Sequence, residues 1–195
     1  MARIALILGE MFEDSEFRKP YDRLREAGHE VVVIGAEAGK KIRGKKSQEE
    51  ATTDASIKDV SVESFDALVI PGGYSPDHLR MDAKMVEFTR DFARSGKPVA
   101  AICHAPWMLV EADVVRGRTV TSWPSIKTDL VNAGARWIDR EVVEDGNLVT
   151  SRNPDDLPIF CETILRHLER RAEPSSASQA PRRSPEETWA GSPRH

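Results

Sequence analysis

The sequence predicts an α/β fold, a doubly wound and mostly parallel sheet sandwiched by helices. Three observations predict it. Residues 3–8, 66–70 and 98–103 are short, nearly unbroken aliphatic runs, the pattern of strands covered on both faces. Amphipathic helical segments alternate with these runs along the chain. Strand–helix alternation of this kind joins neighbouring strands by crossovers and makes them parallel, with working residues at their carboxyl ends.

Taken in order, residues 3–8 form the first strand and residues 15–27 a helix with Phe17, Tyr21 and Leu24 on one face. Pro20 inside that helix predicts a late start or a kink. Gly28 ends it, and residues 29–34 (HEVVVI) form the next strand. Residues 36–62 are polar and weakly patterned, consistent with a small hairpin or excursion. A strand at 66–70 runs into Pro71-Gly72-Gly73, and residues 82–95 form a helix with Met85, Phe88, Thr89 and Phe92 inward. The strand 98–103 (PVAAIC) leads directly to a helix at 105–111. Short strands follow at 120–121, 137–138, 141–143 and 148–150, the last two joined by the turn pair Asp145-Gly146. A helix is expected over 125–132 and a final amphipathic one over 155–170, with Leu157, Phe160, Cys161, Ile164, Leu165 and Leu168 inward. One domain over 1–171 results. From 172 to 195 the chain turns to Pro, Ser, Ala, Arg and Glu without an apolar period, and this tail is expected to be disordered.

Composition narrows the function. Hydrophobic residues make up 39% and charged residues 31% of the 195, a globular mixture rather than a disordered or membrane one. No apolar run approaches the roughly 20 residues that cross a bilayer. The amino terminus reads as a first strand and not as a signal peptide, so a cytoplasmic location is expected. With a net charge of −4 and no basic stretch interleaved with aromatics, nucleic acid is not an expected partner. The basic run at 40–46 (KKIRGKK) reads as a solvated hairpin or loop. The histidines show no metal-ligand spacing, and no phosphate-binding glycine motif is present, so neither metal nor organic cofactor is expected.

Cys103 is the informative residue. A buried strand runs into it, a helix begins almost at once, and Ala101 and Ala105 stand two residues to either side. A nucleophile elbow needs small neighbours at those positions because the turn is tight. The adjoining helix N-terminus is expected to lower the thiol pKa and favour the thiolate. Cys161, on an apolar helix face, reads as core. His167-Leu168-Glu169 mimics the His-x-Glu of a hydrolase triad but reads as a solvated last helical turn. Gly72-Gly73 at a strand end can let backbone N–H groups approach an oxyanion, or can be a plain tight turn.

The strings AICHAPWML at 101–109, FED at 12–14, VIPGG at 69–73 and TSWPSIKTDLVNAGARWID at 121–139 resemble the PfpI-type intracellular cysteine peptidase family. That family shares a superfamily with the parkinsonism-associated protein deglycase and the class I glutamine amidotransferases. The match covers residues 3 to about 170. It implies a flavodoxin-like, class I glutamine amidotransferase-like fold, with Cys103 as nucleophile and His104 as neighbouring acid/base. It also implies that Glu13 is a protonated acid beside the sulfur, and that the N–H groups of Gly72, Gly73 and His104 hold an oxyanion. The imidazole's partner falls on Asp77, donated by a neighbouring subunit, where the family more often has Glu. A homodimer or higher homo-oligomer is therefore expected.

The resemblance implies a stress-associated cysteine hydrolase. Its substrate is either a peptide or a small aldehyde such as methylglyoxal and its glycated adducts, the deglycase or glyoxalase chemistry. A non-enzymatic alternative uses the same oxidisable cysteine in an oxidative-stress sensor or holding chaperone.

Overall fold

A computed structural model describes residues 1–172. Its centre is a seven-stranded sheet built from β1 (Arg3–Ile7), β2 (Glu30–Gly35), β5 (Ala55–Ser56), β6 (Ala67–Ile70), β7 (Val99–Ile102), β10 (Val142–Asp145) and β11 (Leu148–Ser151). The spatial order is β10-β11-β7-β6-β1-β2-β5, and every pairing except β10 with β11 is parallel. This is the flavodoxin-like, class I glutamine amidotransferase-like arrangement. The chain first moves outward from β1 to β2, then returns past β1 to β6. That reversal of strand order opens a crevice at the carboxyl ends of the central strands.

Period-two alternation sends each strand's side chains to two separate cores. Ala5, Ile7, Leu68, Ile70, Val99 and Ala101 point to one face. There they meet α3 (Ala83–Arg94), α4 (Pro106–Glu111) and α5 (Lys127–Asn132) through Met85, Phe92, Met108 and Leu130. Ile4, Leu6, Val69, Ala100 and Ile102 point the other way, onto Phe17 and Leu24 of α1 (Asp14–Glu26) and Phe160, Ile164 and Leu168 of α6 (Leu157–Ala172). Strands buried on both faces are what the unbroken aliphatic runs predicted. A short helix, α2 (Ser75–Leu79), follows the Gly72-Gly73 loop, and β8 (Thr119–Val120) pairs in parallel with β9 (Arg136–Trp137) in a separate two-stranded sheet.

Three local expectations change. The first helix does not start late: it begins at Asp14 and continues through Pro20, which is buried. Proline there removes only its own hydrogen bond, to the Glu16 carbonyl four residues back, and the apolar face of α1 compensates by packing on the sheet. Residues 36–62 do form a hairpin, β3 (Lys41–Arg43) with β4 (Glu50–Thr52), followed by the edge strand β5. The basic run at 40–46 is part of that hairpin, but its turn is anchored rather than freely solvated. One carboxylate, Asp14, accepts backbone N–H bonds from Lys46 at 3.0 Å, Gln48 at 2.9 Å and Glu49 at 2.8 Å. Desolvation opposes ionisation of Asp14, and these three donors outweigh it and hold the carboxyl below its ordinary pKa.

His167 is not a freely solvated end either: its Nε2 lies 2.9 Å from Glu144 Oε2 on β10. The pair ties the last helix to an edge strand, where Arg166 also reaches Glu144 at 2.8 Å. The tail predicted from 172 lies outside the described residues, except for Ala172, which ends α6. No helix among the described residues is long and apolar enough to cross a membrane.

Candidate active site

Cys103 stands between β7 and α4 with φ at +64°, a conformation that side chains with a Cβ rarely adopt. The strain is held by bonds on both sides. The Cys103 N–H donates to the Ser151 carbonyl at 3.0 Å, and the Trp123 N–H donates to the Cys103 carbonyl at 3.0 Å. Ala101 and Ala105 are completely buried, so larger residues two positions away from the thiol would have no room. An over-determined left-handed residue at a strand end is the geometry of a nucleophile elbow.

The acid against the thiol is Glu16, not Glu13. Glu16 is inaccessible to solvent and accepts the Gly72 N–H at 2.8 Å, on the side of Gly72 where Cys103 also packs, while its second oxygen, Oε1, is buried without a hydrogen-bond partner. Glu13 sits one helical turn earlier, where its main-chain N–H donates to the Gly72 carbonyl at 3.1 Å. Its side chain turns to two lysines, Lys45 at 2.5 Å and Lys46 at 3.1 Å. The reason is helical geometry. Glu13 is the residue before α1, whereas Glu16 shares the buried stripe of Phe17, Pro20 and Leu24. A glutamate among apolar positions at helical spacing was the available signal.

The two glycines have different jobs. Gly72 has an ordinary φ, but a Cβ there would lie 2.5 Å from Glu16 Oε2 and 2.7 Å from Cys103 Cβ. Its N–H is already bound to Glu16, so Gly72 is not a free oxyanion donor. Gly73 adopts φ +77°, and a Cβ there would strike the Glu13 backbone. Its N–H and that of His104 lie near enough to the Cys103 sulfur to favour its anion.

His104 lies with Nδ1 3.2 Å from Cys103 Sγ and Nε2 3.2 Å from Ser125 Oγ. Its ring leans on Trp107, with centroids 5.3 Å apart. Consecutive residues do meet here, because the left-handed turn at Cys103 folds the next side chain back onto the sulfur. Within this chain the imidazole's oxygen partner is Ser125. Asp77, exposed on α2, makes no side-chain hydrogen bond or ion pair among the described residues. Ser125 was not singled out by sequence, since a serine in a loop 21 residues away carries no signal of its own.

Electrostatics differ from the expectation of a simple acidified thiol. Burial and the neighbouring Glu16 charge push Cys103 up, while the N–H groups of Gly73 and His104 pull it down. Desolvation likewise raises Glu16, to about 8, with the Gly72 N–H opposing and Glu13 adding. Each anion therefore disfavours the other, and the pair titrates as one coupled unit. Burial first and the Lys45 charge second lower His104, which keeps the imidazole neutral near pH 7. The following helix cannot dominate because α4 has only six residues. Cys161 is a different kind of thiol: buried on α6, it is pushed up to about 11, first by desolvation, with Arg23 and Lys19 opposing.

Fold and elbow together define an α/β protein with a cysteine, a buried carboxyl and a histidine gathered at the end of a central parallel strand. Residues 2–167 match the DJ-1/PfpI family, and the chain belongs to it. It is 54% identical over 167 residues to protein/nucleic acid deglycase 2 of Escherichia coli (strain K12), covering 85% of this chain and 97% of that one. It is 50% identical over 169 residues to general stress protein 18 of Bacillus subtilis (strain 168), covering 86% and 98%. Among solved structures it is similar to Drosophila melanogaster DJ-1beta, with a TM-score of 0.80, 33% identity, and coverage of 86% of this chain and 90% of that one. A two-domain protein of Anabaena variabilis with DJ-1/ThiJ/PfpI-like and ferritin-like domains aligns with a TM-score of 0.85 and 40% identity. That alignment covers 87% of this chain and 48% of that one.

Proposed function

We propose that this chain is a cofactor-independent cysteine hydrolase that acts as a deglycase on methylglyoxal and its early adducts. The observation that carries the reading is Cys103, strained at the elbow with His104 Nδ1 3.2 Å from its sulfur and the buried carboxyl of Glu16 packed beside it against Gly72. The relatives named as deglycases, in Escherichia coli and Pyrococcus abyssi, support it.

In the reactive form the Cys103–Glu16 pair has lost one proton, and passage of the thiol proton to the Glu16 carboxylate puts the charge on sulfur for the attack. The thiolate adds to the aldehyde carbon of methylglyoxal, and the resulting oxyanion takes the N–H groups of Gly73 and His104. His104 moves the proton from that carbon to its neighbour, which leaves a lactoyl thioester on Cys103. Water cleaves the thioester, giving lactate and the free thiol, so one water is consumed per methylglyoxal. With an aminocarbinol adduct the same sequence also releases the amine, which departs with its proton. Ser125 holds Nε2 of His104 so that Nδ1 faces the sulfur. In this reading Asp77 of a neighbouring copy in a homo-oligomer adds a second partner for the imidazole.

Only 6% of Cys103 is exposed, which suits a small aldehyde better than the extended backbone a peptidase must seat. Wild type and Cys103→Ala should be compared side by side for lactate formation, amine and thiol release from glycated substrates, and cleavage of fluorogenic peptides. Lactate and amine release by wild type, lost in the folded variant, is the expected outcome. Peptide cleavage alone would move the reading to a peptidase. If neither activity depends on Cys103 while mild peroxide oxidises it faster than Cys161, the sensor reading replaces the enzyme.

A further inference from the structure

The hairpin turn between β3 and β4 brings charge to a site whose nucleophile lies about 60 residues further on. The turn is bound on two sides. Asp14 collects its backbone N–H groups, and the Lys45 N–H donates to the Phe12 carbonyl at 2.8 Å. Phe12 in turn bridges Gly73, and the Tyr74 N–H donates to the Met11 carbonyl at 2.9 Å. Hairpin, first loop and oxyanion loop are thus stitched edge to edge, ending at the elbow. Gly44 is required at the turn because any Cβ there would collide with the Asp14 carboxylate.

This stitching fixes Lys45, whose side chain is 32% exposed and bound to the almost inaccessible Glu13. The titratable and charged groups around Cys103 are few. Glu13 and Glu16 come from the start of α1, Lys45 and Lys46 from the hairpin turn, and His104 from the elbow. The loop after β6 contributes only main chain, from Gly72 and Gly73. Asp14, also at the start of α1, spends its carboxylate on the main-chain N–H groups of the turn. With His104 neutral, the two lysines exceed Glu13 by one positive charge, and that cation favours the Cys103–Glu16 pair once it has lost a proton. A buried anion without such compensation is costly.

We propose that Lys45, clamped by Glu13, is the counter-ion of the Cys103–Glu16 pair and sets the fraction of Cys103 present as reactive thiolate. Lys45 is a positioning residue: it does not bond to the sulfur and acts through its charge. Glu13 orients Lys45, and Lys46 completes the neutralisation of Glu13. The mutual influence runs in the expected direction. After Glu13, the Cys103 and Glu16 anions raise Lys45, and the Lys45 cation lowers both Glu16 and His104.

The proposal rests on the reading of Cys103 as nucleophile, and its test needs no substrate. Alkylation of Cys103 by iodoacetamide is followed by mass spectrometry from pH 5 to 10 on the whole chain, with Cys161 as internal reference. In Lys45→Met the midpoint of the profile should move up by about one pH unit, which slows alkylation about tenfold on the acid side. Lys45→Arg should restore the wild-type midpoint. A Lys45→Met profile superimposed on wild type overturns the proposal. So does a Lys45→Arg profile displaced as far as the methionine variant, which would make the effect one of packing. Lys45→Gln serves the same comparison if the methionine variant fails to fold. A wild-type chain that alkylates normally but turns over no adduct would defeat the functional reading and leave the electrostatic one standing.

Discussion

At Cys103 the backbone and the side chain have opposing demands. The left-handed φ of +64° favours glycine, while the proposed chemistry needs sulfur. Cys103→Gly should therefore be more stable than Cys103→Ala by about 1 kcal/mol, the cost of holding a Cβ in that region. Denaturant melts of the two inactive variants measure this. Glu16 carries a second cost. Its folded pKa, near 8, lies above the unfolded value, so the native state binds the proton more tightly. Stability should fall as pH rises from about 4.5 to about 8 and level off above that, by an amount on the order of a few kcal/mol. In Glu16→Gln this slope should flatten, with the variant gaining on wild type at pH 8, as thermal midpoints across that range will show. The cost is the expected signature of a carboxyl kept neutral for use beside the sulfur.

The element that most changes with tertiary context is the β3–β4 hairpin. On its own it is two three-residue strands, too short to persist in water. What orders its turn is the Asp14 carboxylate, with three main-chain donors and a glycine at the one place where a side chain would collide. Asp14→Ala should destabilise the fold by about 1–3 kcal/mol by leaving those donors unpaired. It should also speed amide hydrogen exchange at residues 46–49 far more than elsewhere, and lower Cys103 reactivity by releasing Lys45. Exchange mass spectrometry and the alkylation assay test the two halves separately. The Gly72-Gly73 loop shows the same logic in a rigid form: one glycine leaves space for Glu16 and the thiol, and the other turns the chain so that its N–H lies near the sulfur.

At the scale of the whole molecule, the sheet delivers five segments to one end. The first loop, the hairpin turn, the glycine loop, the cysteine elbow and the Trp123–Ser125 segment meet at the carboxyl ends of β1, β6 and β7. Parallel strands make this possible, since each crossover returns the chain to the same edge. A sixth segment, from another copy, is proposed through Asp77. If it contributes, equal mixing of Cys103→Ala with Asp77→Ala should recover about a quarter of wild-type turnover, because mixed assemblies contain intact sites. Absence of recovery in a mixture shown by light scattering to exchange subunits would remove Asp77 from the site.

How far sequence alone reached depends on whether a residue's role is local. The aliphatic runs settle the strands, because burial on both faces leaves a pattern within each run. The alanines around Cys103 mark the elbow, because a tight turn constrains its immediate neighbours. Glu16 was half legible: its place on the apolar stripe of α1 was visible, but the family motif drew attention to Glu13 three residues earlier. Lys45, Ser125 and the anchoring role of Asp14 left no local trace, since each acts on a partner at least 21 residues away.

The sequence by itself determined the α/β class, the two-faced sheet and the place of Cys103 at a tight strand end, all properties of periodicity and steric fit over a few residues. The tertiary structure decided which carboxyl packs beside Cys103, which main-chain donors lie near the sulfur, and which cations stand around the buried pair. Those are matters of distance between segments remote in sequence, and a buried charge responds to distance and burial rather than to order along the chain.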